Sequence, residues 1–439
     1  MRYYIPVMIL VLGGLIYGVW WLHVRYPPMT AQEYLRRGTA ELARGRVKAA
    51  LGDLSTAIEQ DRKLGAAYTA RGMAQERLKQ YAEALTDLNQ AVALHDDGAY
   101  LHRGSVKIHL QRYEEALDDL DQAIARHPGD AEAYILRGNA CTALRQYAPA
   151  FADYNRAIAH NARSAEVYTA RGNAYYAQRH YAQALADFNT AVHLDPQYAA
   201  AYHGRALACI ALKRQAEVVP NFRRAIALDP HDPEAFLHRG RYYVEIEHYS
   251  GAVPDLSEAI RLDPKCEEAY RLRALAYRRQ QQYVEAIADY AKVIELAPND
   301  AGAYRDRCEA YREMGNDFAA GADADKVIQL SPTDARAWTV KGWCQYRSGN
   351  YTAALASTRR ALALNNTLAA AHLQLGLLLA MQDDWPGAQH EFQLALPTAT
   401  PDECAAALKD IQREELLHAE MHSLPRAEGL LKQKGRSKK

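Results

Sequence analysis

An aromatic residue returns every 34 positions along most of the chain: Tyr34, Tyr68, Tyr100, Tyr134, Tyr168, Tyr202, Phe236, Tyr270, Tyr304 and Trp338, with His372 in the eleventh place. The one irregular step, Tyr68 to Tyr100, is 32 residues. Four residues after each comes a small side chain, from Gly38 to Gly376, and sixteen after each comes Ala or, once, Val218. Six copies close on a proline: Pro128, Pro196, Pro230, Pro264, Pro298 and Pro332. A fixed period of this length means one small unit copied in tandem, because a single copy cannot bury its own apolar face. The copying also explains 29 Tyr against 6 Phe.

Within each unit, apolar residues recur at helical spacing in two stretches. In the fifth these are residues 165–178 and 181–194, separated by Arg179 and His180, which predicts two helices joined by a tight turn. Small residues at fixed places let the two axes approach, and the aromatics fill the space beside the next unit. The Asp-Pro after Leu194 ends the second helix. Nine units carry Arg three residues after the aromatic, from Arg37 to Arg307, and eight have Asp sixteen residues further on. In the tenth and eleventh units both members of the pair change together, which predicts ion pairs between the two helices.

The rest of the chain narrows the function. Fifty-three basic and 53 acidic residues leave no net positive charge to neutralise phosphates, so no nucleic-acid partner is expected. The six cysteines include no CxxC pair and read as small buried residues rather than a disulfide or zinc framework. No phosphate-binding glycine loop, nucleophile elbow or zinc-protease motif occurs, and no cofactor is expected. His418 and His422 share one helix face but lack further ligands, so no metal is assigned to them. Residues 1–28 differ from the body. Ile5 to Leu22 is an uncharged run of 18 residues flanked by Tyr3, Tyr4, Trp20 and Trp21, which predicts an uncleaved transmembrane anchor over 5–22. Gly14 and Gly18 there form a small-residue motif through which two spans can pack into a homodimer. Arg25, Arg36 and Arg37 tilt the body toward the cytoplasmic side over the periplasmic one.

These positions resemble the tetratricopeptide repeat, over residues 31–402. The resemblance implies an all-α fold: a right-handed superhelix, an α-solenoid of eleven helical hairpins, following the N-terminal transmembrane helix. Residues 403–422 are expected to cap it as an amphipathic helix, and 423–439, rich in Lys and Arg, to form a disordered basic tail. The resemblance further implies that first helices line a concave groove through positions 2, 5, 6, 9, 12 and 13 of each unit. Candidate groove residues are then Asn139, Asn173 and Tyr176 in the middle, and Arg241, Arg271, Arg278, Arg279, Arg305, Arg312 and Arg347 toward the C-terminus. The amides suit a peptide backbone, and clustered Arg suits an acidic segment or a terminal carboxylate. The family's three-repeat carboxylate clamp is not matched, since Ile135 and Ala170 stand where Lys and Asn are required. The expected function is a non-catalytic, single-pass membrane scaffold that holds peptide segments during assembly, secretion or quality control of envelope or membrane complexes. The alternative is an accessory subunit of a membrane glycosyltransferase or polysaccharide exporter.

Overall fold

A computed structural model describes residues 29–161, 164–417 and 423–436. The expected span over 5–22, with Gly14 and Gly18, lies outside these residues, as do His418 and His422. Among the described residues there are 24 helices and no strand, and no helix is long and apolar enough to cross a membrane. The chain divides into two compact units, one ending at Leu228 and one starting at Asp229.

Each unit is an all-α repeat solenoid. The first contains six hairpins, from Ala31–Ala43 with Val47–Gln60 to Ala199–Ala211 with Gln215–Leu228. The second contains five, from Pro233–Glu245 with Tyr249–Leu262 to Ala369–Ala380 with Trp385–Ala395, followed by helices Pro401–Leu417 and Ser423–Arg436.

Every hairpin turns in the same way. The residue after the first helix's last turn takes a left-handed conformation, at Gly45, Lys79, Gln111, Arg145, Arg179, Lys213, Glu247, Gln281, Gly315, Gly349 and Asp383. The following amide then bonds back five residues, as from His180 to the Tyr175 carbonyl at 2.9 Å, satisfying carbonyls that the helix end leaves free. The second helix folds down onto the first around one buried side chain, Leu54 in the first repeat and Tyr154, Phe188 or Phe392 in later ones. A methyl group at Gly38, Gly138, Gly172 or Gly376 would come within 2.7–2.8 Å of that side chain, so the small residue sets the distance between helices.

The Arg–Asp pairs form as expected. In all eight, the guanidinium grips both carboxylate oxygens at 2.5–2.9 Å, from Arg37–Asp53 to Arg307–Asp323. The structure adds a third arm. In four of the eight the free Nη1 also reaches sixteen residues back into the preceding repeat, from Arg71 to Ser55 at 3.2 Å, Arg137 to Asp121 at 2.6 Å, Arg171 to Asn155 at 2.7 Å and Arg273 to Ser257 at 2.9 Å. The same guanidinium lies over the repeat's own aromatic, 5.5 Å from the Tyr168 ring centre in the fifth. In these four repeats one Arg thereby ties its own hairpin shut and fastens it to the one before.

The basic tail is corrected in part. Residues 423–436 form a helix, with Leu424, Ala427 and Leu431 buried against the last repeat and the helix Pro401–Leu417. Their spacing of three and four residues puts them on one face, and burying that face outweighs the repulsion among the basic groups.

Candidate functional site: the inner face of the first helices

Within the first unit every first helix touches the first helix of the next repeat, whereas successive second helices make no comparable contact. In the second unit the same holds for the seventh with the eighth repeat and the tenth with the eleventh. Where these contacts form, the first helices make the tighter, inner layer, and their side chains turned away from the second helices are those available to a ligand.

In the first unit the amide-rich stretch is less free than the sequence suggests. Tyr154, buried in the hairpin core, donates to Asn139 Oδ1 at 2.9 Å and shares a 3.0 Å hydrogen bond with Thr142. Burial pushes the Tyr154 phenol up, which keeps it a donor. Asn139 thus keeps its amide donors and one of the two lone pairs of its oxygen. Asn173 is exposed and has no hydrogen bond among the described residues. Tyr176 is half-buried with its ring 5.3 Å from that of Tyr181.

In the second unit the structure places carboxylates against most of the Arg row. Arg241 pairs with Glu268. Arg271 bonds Glu267 at 2.8 Å, Asp306 at 3.2 Å and, closest, Asp300. Arg278 holds Glu309 at 2.7 Å, Arg305 holds Asp334 at 2.6 Å, and Arg347 reaches Asp317 at 3.1 Å and Asp410 at 3.3 Å. Burial works to raise the Asp300 carboxyl, but hydrogen bonds from Arg271 and the Gly302 amide outweigh it and hold the group below the usual carboxylate range. Asp306 goes the other way, because burial outweighs its longer contact with Arg271. Of the Arg candidates, only Arg279 and Arg312 are exposed and in no ion pair among the described residues.

Arg312 borders a cavity of about 100 Å3. Thr339, Val340 and Trp343 of the tenth repeat and Ala370 and Leu373 of the eleventh line it. Ala406 and Ala407 of the helix Pro401–Leu417 close one side. Counted from the start of each repeat, Arg312 is at position 12, Thr339, Val340 and Trp343 at 5, 6 and 9, and Ala370 and Leu373 at 2 and 5. These are the places where groove residues were expected. Trp343 was missed, although the large aromatic ring at position 9, unmatched in any other repeat, was the signal. Glu403, the other charged group of the cavity, is engaged at its helix start, accepting from the Thr400 amide at 2.7 Å and hydroxyl at 3.0 Å.

The family comparison agrees with this architecture. A family model described as tetratricopeptide repeat matches residues 35–99, 103–166, 237–301, 309–369 and 345–403, and a second with the same description matches 165–198. Among solved structures, the chain is similar to YrrB, described as a TPR protein with an unusual peptide-binding site, at 25% identity and TM-score 0.40, covering 43% of this chain and 97% of that one. It is also similar to yeast Tom70 at 15% identity and TM-score 0.35, covering 91% and 96%. For the Cut9–Hcn1 hetero-tetramer of APC/C the values are 15% and 0.44, covering 92% and 90%. No curated protein matches. With its family matches spanning more than half of its length, and with repeated hairpins built as described, the chain belongs to the tetratricopeptide repeat family.

Proposed function

We propose that this protein is a non-catalytic scaffold that holds partner proteins by segments laid along the inner face of its first helices. The observation that carries this reading is the cavity at Trp343, where inner-face positions of three consecutive repeats converge on one apolar recess beside an unpaired cation. The recess is lined by Val340, Trp343, Ala370 and Leu373 at inner-face positions, an apolar surface that the packing of the repeats leaves open. An apolar anchor in a pocket, surrounded by polar contacts, is how a small part of an interface supplies most of its binding energy. A photo-crosslinking residue placed at Asn173 or Arg279, both exposed on first helices, is expected to capture partner proteins in cells. The same residue at Glu295, on a second helix, is expected to capture few. Equal capture from both faces would sink the reading.

The apolar run at 5–22 supports retention at a membrane, with the body on the cytoplasmic side and Gly14 and Gly18 available for pairing of two spans. In that setting the scaffold serves assembly, secretion or quality control of membrane complexes. The full chain is then expected in the carbonate-resistant membrane fraction, and a chain lacking residues 1–28 in the supernatant. Reporters fused after Lys439 that work on only one side of the membrane decide the orientation.

A further inference from the structure

We propose that the cavity at Trp343 takes a branched aliphatic side chain from an internal acidic segment of the partner, whose flanking carboxylates engage Arg312 and Arg279. This rests on the reading of the inner face as a peptide-binding surface and specifies what that surface selects.

Three observations point to this occupant. The first is size. A cavity of about 150 Å3 holds a benzene ring. At about 100 Å3, lined by Val340, Trp343, Leu373 and three alanines, this one matches Leu, Ile or Val better than an aromatic ring. The second is charge. Arg241, Arg271, Arg278, Arg305 and Arg347 already hold carboxylates of this chain, so an acidic ligand would have to displace them. Arg312 and Arg279 are exposed and hold none, and a partner carboxylate can pair with them without breaking an existing bond. The third is placement. Arg279 and Arg312 lie on first helices of consecutive repeats, and both are near enough to Glu313 to act on its carboxyl. Two cations one repeat apart fit a segment with several carboxylates better than one chain terminus.

The test is fluorescence anisotropy on the full chain in detergent. The probe is a dye-labelled, N-acetylated, C-amidated peptide, Ser-Asp-Glu-Leu-Asp-Glu-Ser. Saturable binding is expected. Affinity should fall about tenfold or more when the Leu is replaced by Ala, when the acids are replaced by Lys, and with Arg312→Gln or Ala370→Leu, the last of which fills the cavity. Circular dichroism checks that both variants stay folded. A free-acid version should bind no better than the amide. Binding only by the free acid would show that the site reads a chain terminus and would overturn the proposal, as would equal binding of the Lys peptide. Failure of all four peptides overturns it as well. The inner-face crosslinking experiment decides the broader reading separately, since it does not depend on any peptide chosen here.

Discussion

Arg273 shows what one residue does in this protein. It bonds both oxygens of Asp289, whose side chain is 9% exposed, and also Ser257 in the preceding repeat. Removing one member of a buried pair leaves the other charge uncompensated, a cost of about 3 kcal/mol. Arg273→Ala is therefore expected to lower amide protection in both the seventh and the eighth repeats, read by hydrogen exchange. Asp289→Asn should cost less, because the sixth repeat already uses that pairing, with Arg205 donating to Asn221 at 2.7 Å. The pairing was legible in the sequence because its partners keep a fixed spacing of sixteen. The neutralisation of the Arg row was legible only in part, through Glu268, Asp306 and Glu309 at inner-face positions 2, 6 and 9. Asp300 and Asp334 cap the helices that follow them, accepting from Gly302 at 2.7 Å and Arg336 at 3.0 Å, and the same carboxylates receive Arg271 and Arg305 from the repeat before. Counting charges at inner-face positions leaves out these caps. A second residue-scale case is Glu76, which accepts from the Ser105 hydroxyl at 2.5 Å with His102 3.9 Å away. Burial raises the Glu76 carboxyl and lowers the His102 imidazole, so the carboxylate gains no cationic partner from it at pH 7. A carboxyl raised on folding stabilises most below its unfolded pKa, and that contribution is lost as pH rises through the folded value. Glu76→Gln should then raise the urea midpoint at pH 7, with the difference shrinking as pH falls into the carboxylate range. A constant difference across that range would show that Glu76 does not carry the effect.

The hairpin is set by which helix surfaces can touch. Phe188 is fully buried on the second helix of the fifth repeat. A methyl group at Gly172 on its own first helix would come within 2.8 Å of the ring, and one at Gly204 on the next first helix closer still. A single ring thus fixes two helix distances. Gly204→Ala is expected to destabilise by about 1–3 kcal/mol through overpacking. Gly52 tests the opposite sign. It sits exposed inside the helix Val47–Gln60 with nothing within 4 Å of an added methyl, so Gly52→Ala should stabilise by about 0.5–1 kcal/mol. Denaturation midpoints of the two variants should move in opposite directions; a shift of the same sign would mean that crowding at Phe188 is not what requires glycine. Helix type and turn position were legible because small residues and helical periodicity recur in register. The terminal helix Ser423–Arg436 was hidden by its composition, since its basic residues outnumber Leu424, Ala427 and Leu431, and only the spacing of those three marks a buried face.

At the scale of the whole molecule, stability in such arrays is close to a sum of repeats and nearest-neighbour interfaces. What stops the array at its end is then as important as what propagates it. The sequence predicted a cap at 403–422, and the structure uses two helices, Pro401–Leu417 and Ser423–Arg436. Together they cover Leu373, Leu377 and Leu378 of the eleventh repeat, with Ile411, Leu424 and Leu431 buried in the same cluster. The contact is polar as well, since Tyr346 donates to the buried Glu414 at 2.7 Å. The Trp343 cavity depends on this arrangement, because Ala406 and Ala407 form one of its walls. That wall was not legible from the repeat period, because it comes from the one part of the body that does not repeat. Comparing residues 229–439 with a shortened 229–400 tests the point. The longer fragment should be monomeric, with a cooperative thermal transition. The shorter one exposes the leucines of the eleventh repeat, so it should lose hydrogen-exchange protection over Ala369–Ala395 first and self-associate in sedimentation. If both fragments stay monomeric with equal protection in the last repeat, the two terminal helices are not its cap, and the cavity wall they supply must be held in place by other contacts.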